Sequence, residues 1–323
     1  MMLSDTRQTD TVGEFAVAVA HSLRKVGQRE LPSAYLYDEL GTALFEAITV
    51  LPEYGLTRAE ERLLRRHAGD MLGHLPPPMA VIELGSGSGR KTRWILEALA
   101  AREPVAYFPI DISAAALIKC RQELGHIGAL SIVGLETSYL EGLEEAVTRR
   151  RPNQALLILF LGSTIGNFNP PAAEKFLQDI RRNLRPGDAL LLGVDVKKSI
   201  HDLLLAYDDP AGVTAAFNLN LLARINRELG GDFVLRHFEH HIRYQEIDGR
   251  IEMHLRSTRK QTVSIRAADI TCTFQEGETI WTEACYKFRV EEIPGMARRT
   301  GFMCEAQWVD TEWAFAENLL IAD

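Results

Sequence analysis

The sequence predicts an α/β fold built on a mostly parallel sheet. Between residues 79 and 195, short apolar runs of strand length alternate with stretches of helical periodicity. The strand runs are close to continuously apolar, 154–161 most clearly, and strands covered on both faces read that way. The first strand, 79–84, also runs into three glycines at alternate positions, Gly85, Gly87 and Gly89, before a helical pattern begins. Open α/β sheets use such a turn to bring backbone and a helix N-terminus up to a ligand.

The elements follow in order. Residues 1–11 are polar and read as loose, and 12–25 reads as a helix with Phe15, Val19 and Leu23 at helical spacing. A second helix is expected over 35–48, then a turn at Leu51-Pro-Glu-Tyr54. Thr57-Arg-Ala-Glu60 has the form of a capping box opening an amphipathic helix to about Leu75, and Pro76-Pro77-Pro78 closes it. Then come strand 79–84, helix 90–101, strand 105–111, helix 113–123 capped by Ser113, a weaker strand 129–134, helix 138–150, strand 154–161, helix 171–184, a turn at Pro186-Gly-Asp188 and strand 189–194.

After Val194 the rhythm changes. Residues 197–209 and 211–229 read as helices. Residues 233–244 and 250–255 read as antiparallel strands around an Asp248-Gly249 turn, with further β-like sequence to Phe274. A last helix at 290–300 and two strands, 303–309 and 313–321, complete the chain. Residues 61–196 with 287–323 are therefore expected to form one domain, and 1–60 with 197–286 another.

Composition bounds the function. The chain has 323 residues, 46% hydrophobic and 25% charged, which is ordinary for a globular protein. Its net charge of −8 weighs against nucleic acid and anionic membranes as partners. No apolar run reaches the roughly 18 residues of a membrane span, and the N-terminus lacks the basic-then-apolar pattern of a signal peptide. Cys120, Cys272, Cys285 and Cys304 are scattered with no CxxC pair and read as reduced thiols. A cytoplasmic protein is expected, as a monomer.

The glycine turn narrows the ligand. A dinucleotide fingerprint needs glycine at position 90, and a P-loop needs one directly before Lys91; both positions are Arg90. What fits is Glu83-Leu-Gly85-Ser-Gly87-Ser-Gly89, which resembles the first motif of class I S-adenosylmethionine (SAM) methyltransferases. Asp111 closes the second strand, where an acid can accept hydrogen bonds from both ribose hydroxyls.

Further short matches occur in order: Tyr37-Asp38, Leu51-Pro-Glu-Tyr54, Leu161-Gly-Ser-Thr-Ile-Gly-Asn167, Ala206-Tyr-Asp-Asp209, Gly212-Val-Thr-Ala-Ala-Phe-Asn218, Ile251-Glu-Met253, and Thr282-Glu283 with Lys287-Phe288. With the glycine loop, they resemble the histidine Nα-methyltransferases of ergothioneine biosynthesis over nearly the whole chain. The resemblance implies a class I methyltransferase sheet whose last strand is antiparallel, an α+β substrate lobe, and SAM as cofactor with no metal. It places SAM on Glu83, Gly85, Ser86, Gly87, Gly89 and Lys91, with Asp111 on the ribose. Tyr54 and Asn167 would hold the amino acid's amino and carboxyl groups, with Tyr207 on the carboxylate. Tyr37 and Phe45 would line the methyl-transfer chamber. Glu283 would hold the imidazole, with Met253 and Thr214 beside the ring.

The chain departs from the family at three places. Cys285 stands where the family has serine, and it is a much weaker hydrogen-bonding group. Gly55 stands where a tyrosine follows Tyr54. Leu135-Glu136-Thr137 replaces an Asp-Phe-Glu that contacts adenine, with Glu136 offered as the acid one residue later. The expected activity is N-methylation of the α-amino group of a free amino acid, histidine first and another aromatic amino acid or related amine as the alternative; an NAD-dependent oxidoreductase, against which Arg90 counts, and a non-catalytic SAM-binding protein are the more distant alternatives.

Individually, several of these residues have plainer readings. Tyr37 and Tyr54 suit helix packing, Asn167 suits a turn, and Glu283 suits a surface. His237-Phe-Glu-His240-His241 suggests a metal site, but no HExxH or further ligand cluster accompanies it, and none is expected. Arg149-Arg150-Arg151 reads as a solvated run at a helix C-terminus.

Overall fold

The structure, a computed structural model, describes residues 6–77 and 79–323. Residues 1–5 and Pro78, part of the expected polar N-terminus and of the proline separator, lie outside the described residues. The chain divides into two compact units, one of Met1–Tyr54 with Ser199–Cys285, the other of Gly55–Lys198 with Tyr286–Asp323.

The second unit is built on an eight-stranded sheet. Its order is Phe302–Asp310, Phe315–Ala322, Ala189–Asp195, Ala155–Phe160, Met79–Leu84, Val105–Asp111 and Leu130–Ile132, with Leu135–Glu136 also paired to Val105–Asp111. Met79–Leu84 pairs in parallel with both its neighbours, Val105–Asp111 and Ala155–Phe160, and Ala155–Phe160 pairs in parallel with Ala189–Asp195. Only Phe315–Ala322 runs against the rest, antiparallel to both strands beside it. All six residues of Met79–Leu84 and all seven of Ala189–Asp195 are buried, as mostly apolar strands covered on both faces are, and the acids Glu83 and Asp195 are buried with them. Their Ile82, Leu84, Leu190 and Leu192 join Ile158, Phe160, Phe176 and Leu177 in one core.

Because the parallel strands share a direction, their C-terminal ends lie along one edge. Met79–Leu84 ends in the glycine loop, Val105–Asp111 in Asp111, Ala155–Phe160 in the segment leading to Asn167, and Ala189–Asp195 in Asp195. This edge is where open α/β sheets bind ligands.

The first unit has a four-stranded sheet ordered Arg29–Glu30, Thr279–Tyr286, Arg250–Ser257, Phe238–Gln245, and a separate hairpin of Gln261–Ile265 and Ile270–Phe274. Its long helices are Thr6–Leu23, Glu39–Thr49 and Val213–Leu229, with a shorter one at Ile200–Tyr207.

Several boundaries differ from the sequence expectation, each for a local reason. Helix starts at Thr6, inside the stretch read as loose. The expected 35–48 helix is interrupted: Ser33–Leu36 is a 3-10 turn, and Asp38 then caps Glu39–Thr49 by accepting the amide of Gly41 at 2.7 Å. Arg90 to Thr92 are a turn, so the helix after the glycine loop begins at Arg93. Strand 129–134 splits into Leu130–Ile132 and Leu135–Glu136. Strand 233–244 begins only at Phe238, after a 3-10 turn that takes His237. The capping box at Thr57 is not formed: the helix Leu56–Gly73 starts one residue earlier, and Glu60 is buried rather than turned back to its N-terminus. Arg150 is not solvated. Its side chain is 4% exposed and ion-paired with the equally buried Asp188.

Candidate active site

The glycine loop is held open by its own backbone. Gly85, Gly87 and Gly89 have φ of +76°, +52° and +71°, a region side chains other than glycine rarely enter. Two of them also lack room. A Cβ on Gly85 would lie 3.1 Å from the Tyr139 hydroxyl. One on Gly89 would lie 2.8 Å from Cys120 Sγ and 2.9 Å from Leu124 Cδ1. Gly87 faces open space, and its amide donates to Asp111 Oδ2 at 3.0 Å. The amides of Gly85 and Ser86 both donate to the carbonyl of Ile110, so the loop is tied to the end of the neighbouring strand.

Asp111 accepts a second backbone amide, Ser113, on Oδ1 at 2.9 Å. Burial pushes its carboxyl up, and the amide bonds from Ser113 and Gly87 oppose that. Glu136 is exposed and lies opposite Asp111 in the parallel pairing of the two strand ends. Ser86 is buried within the loop.

Glu83 is enclosed beneath this surface. It is 2% exposed; Thr92 Oγ1 donates to one oxygen at 2.7 Å and the Tyr107 hydroxyl donates to the other. Burial raises its carboxyl to about 7 despite those two bonds. Its geometry suits holding the loop's shape, while Gly85–Gly89, Lys91 and Asp111 form the surface a cofactor would meet. Cys120, under the same loop, has its thiol pushed up to about 12 by burial and is chemically quiet.

Asn167 ends the 3-10 turn Thr164–Asn167, which is launched by two residues in left-handed backbone, Gly162 at +74° and Ser163 at +55°. Ser163 is a non-glycine in this region, and the strain is compensated locally: its hydroxyl accepts the amide of Asp195 at 2.8 Å. Asp195 itself is buried between two lysines, Lys287 at 2.7 Å and Lys198. Lys287 belongs to the Lys287-Phe288 match, whereas Lys198 carries no signal in the sequence. Lys91 is ion-paired with Glu60.

In the first unit, Tyr37 and Phe45 meet edge-on with ring centroids 5.5 Å apart, and Phe217 closes a triangle at 5.5 Å from Tyr37 and 6.0 Å from Phe45. Phe217 lies in the Gly212–Asn218 match but has no separate signal in the sequence, since a phenylalanine in an apolar helix reads as core. Tyr54 and Tyr207 form a second edge-on pair at 6.3 Å, both 8% exposed. Thr214 is buried at the start of its helix, its amide donating to Asp209 Oδ1 at 2.7 Å. Met253 is buried, and its carbonyl accepts the Thr282 hydroxyl at 3.0 Å. Glu283 and Cys285 are two residues apart on the strand Thr279–Tyr286 and so share a face, at 9% and 6% exposure.

Of the histidines at 237–241, His240 is tied into the packing by both ring nitrogens. His240 Nε2–H donates to the Tyr207 carbonyl at 2.8 Å while its Nδ1 accepts from Asn218 at 3.0 Å, and burial lowers its affinity for a proton. This fixes one neutral tautomer against the backbone of Tyr207. Among the described residues no cluster of three or more metal-ligating side chains occurs, and no helix is long and apolar enough to cross a membrane.

The departure at Gly55 has a steric reason. A Cβ there would fall 2.2 Å from Cε3 of Trp313, so the indole already fills the space any side chain would need.

Comparison with known proteins accords with this arrangement. Residues 15–322 match the family described as histidine-specific methyltransferase, SAM-dependent. The chain is 39% identical to a histidine N-alpha-methyltransferase of Mycolicibacterium smegmatis over 295 residues, covering 91% of this chain and 90% of that one. It is 39% identical to a protein of the same name from Mycobacterium tuberculosis over 293 residues, 90% of each. An L-tryptophan methyltransferase of Psilocybe serbica is 28% identical over 318 residues, 89% of this chain and 87% of that one. With a family match that spans almost all of it and a class I sheet carrying the glycine loop, the chain belongs to the SAM-dependent histidine-specific methyltransferases.

Proposed function

We propose that this enzyme transfers methyl groups from SAM to the α-amino group of free histidine, giving the Nα-trimethyl betaine hercynine, a step of ergothioneine biosynthesis. The observation that carries the choice of histidine is the 39% identity, over some nine-tenths of both chains, to proteins named for that reaction.

SAM is assigned to the unit containing the glycine loop. Its sulfonium supplies the methyl group. The residues fit such a ligand: the loop carries no Cβ at Gly85, Gly87 and Gly89, and Asp111 is pinned by two amides with its carboxylate ready to accept ribose hydroxyls. Lys91 offers a cation, and Glu83 acts from beneath by fixing the loop. Glu136 is the candidate for further contact beside Asp111.

The amino acid is assigned to Tyr54, Tyr207 and Asn167 for its amino and carboxyl groups. Glu283 accepts the imidazole N–H, with Cys285 on the same face and Met253 and Thr214 alongside. Methyl transfer to an amine needs a neutral nitrogen lone pair held in line with the methyl carbon, and correct positioning alone contributes roughly 7–11 kcal/mol. The tyrosine hydroxyls and Asn167 orient the amine as its protons leave. The faces of Tyr37 and Phe45 suit the growing quaternary cation.

A second reading keeps the reaction and changes the amino acid to another aromatic one. Cys285 favours it, since a thiol grips an imidazole nitrogen less firmly than a serine would. One assay tests both: purified protein, SAM and a panel of amino acids, read by mass spectrometry. Histidine should gain up to three methyl groups. Turnover of tryptophan or tyrosine with histidine untouched would overturn the first reading in favour of the second.

A further inference from the structure

Glu60 lies on the buried face of the helix Leu56–Gly73, among Leu56, Ala59, Leu63 and Leu64, and is fully buried. A carboxylate at such a position is costly unless it is paired. Its two oxygens reach two different loops of the strand-end edge. Oε2 pairs with Lys91 Nζ, beyond the glycine loop, and Oε1 accepts the backbone amide of Gly162, which leads to Asn167. Glu317, on the antiparallel strand Phe315–Ala322, is also fully buried and comes to the same place. A Cβ on Gly193 would lie 2.6 Å from Glu60 Oε1 and 3.3 Å from Glu317 Oε1, so the two carboxyls converge over that glycine.

Donors settle which carboxyl is charged. Glu60 receives an ammonium and an amide. Among the described residues, neither oxygen of Glu317 has a donor. Glu83 also lies near Glu60 and Lys91, and its own oxygens are taken by Thr92 and Tyr107. One cation cannot balance two buried carboxylates, and Glu317, the one without a donor, keeps its proton.

We propose that Glu60 is a positioning residue for cofactor binding, which aims the Lys91 ammonium and ties the glycine loop to the Gly162 turn, with Glu317 beside it as a neutral acid. The inference rests on the reading of Gly85–Lys91 as the SAM site. It assigns the aim of Lys91 to a residue outside both loops.

The test is calorimetry of SAM binding to the full-length enzyme and to Glu60→Gln, Glu317→Gln, Lys91→Met and the double variant Glu60→Gln/Lys91→Met, each checked for a cooperative melt. Glu60→Gln should weaken SAM binding about tenfold, as expected for a charge-assisted contact. Glu317→Gln, which mimics the neutral acid, should stay within about threefold of the parent. Because Glu60 acts through Lys91, the loss caused by Glu60→Gln should vanish in the Lys91→Met background. Additive losses in that cycle, or parental affinity in Glu60→Gln, would overturn the proposal. A tenfold loss in Glu317→Gln would overturn its neutral assignment. If Glu60→Gln melts too low to assay, Glu60→Asp is the arm to read: the shorter acid cannot span both loops, and unchanged affinity there would overturn the proposal. Failure of the parent itself to bind SAM would remove the underlying reading instead, so the two failures are distinct.

Discussion

Asp111 Oδ2 accepts the backbone amide of Gly87 at 3.0 Å, joining the end of one parallel strand to the loop that leaves the next. Its other oxygen holds the Ser113 amide, so the carboxylate is oriented before any ligand arrives. Asp111→Ala removes both the ribose acceptor and the partner of Gly87. We expect SAM affinity to fall by roughly ten- to a hundredfold, since hydrogen bonds to a charged group contribute about 1.5–3 kcal/mol. Calorimetry with SAM, on protein whose melt shows it folded, checks this.

The glycines of the loop should differ in their tolerance. Gly89→Ala places a methyl against Cys120 and Leu124, below 3 Å from both, in addition to a left-handed φ. Gly87→Ala meets nothing within 4 Å and bears only the backbone cost. We expect Gly87→Ala to cost about 1 kcal/mol and Gly89→Ala about 2–4 kcal/mol. Urea unfolding of the two variants against the parent measures the order, and equal losses would mean the helix Ala114–Leu124 does not pack as described.

Local pattern made the sheet legible. Continuous apolar strands, a glycine turn and Asp111 at a strand end are all short-range signals, and the last antiparallel strand followed from the resemblance. What escaped were pairs brought together by the fold. Glu60 looked like a capping residue because Thr57 precedes it by three. Its real signal was its place on the Leu56, Ala59, Leu63, Leu64 stripe, where an acid must have a buried partner. Arg150 sat in a basic run that looked solvated, and its partner Asp188 lies in a turn 38 residues away. Lys287 stood in a matched motif without a role, and Lys198 in none, until Asp195 was found between them. For Gly55, the sequence showed a departure from the family, and its cause, the Trp313 ring, is more than 250 residues distant.

Glu83 should give the fold a pH dependence. Its carboxyl is raised from 4.5 to about 7 by burial. The folded state therefore holds a proton that the unfolded chain releases first. The contribution of this group is fully present below about pH 4.5 and declines as pH rises, levelling off above about 7. The full swing is on the order of 3 kcal/mol. Urea midpoints at intervals from pH 5 to 8 should show a falling component that is absent in Glu83→Gln, because the amide cannot titrate. An identical pH profile in the variant would place the carboxyl's titration elsewhere.

Glu283 and Cys285 share one face of a strand, and this pairing gives the sharpest test of substrate choice. If Glu283 accepts the imidazole N–H, Glu283→Ala leaves that donor unpaired in a buried site. A lost charge-assisted bond costs about 1.5–3 kcal/mol, so kcat/KM for histidine should fall some ten- to a hundredfold. SAM binding should change by less than about twofold, because the assigned cofactor residues are elsewhere in the chain. Cys285→Ser should act in the opposite direction. A hydroxyl is the better donor and acceptor, and KM for histidine should drop a few-fold, about 0.5–1 kcal/mol, with kcat little moved. Steady-state kinetics with histidine, alongside SAM calorimetry, resolves both. Parallel losses of histidine use and SAM affinity in Glu283→Ala would mark the residue as structural. A rise in KM on restoring serine would show that the thiol is fitted to a different side chain, and the aromatic amino acids would then become the substrates to test first.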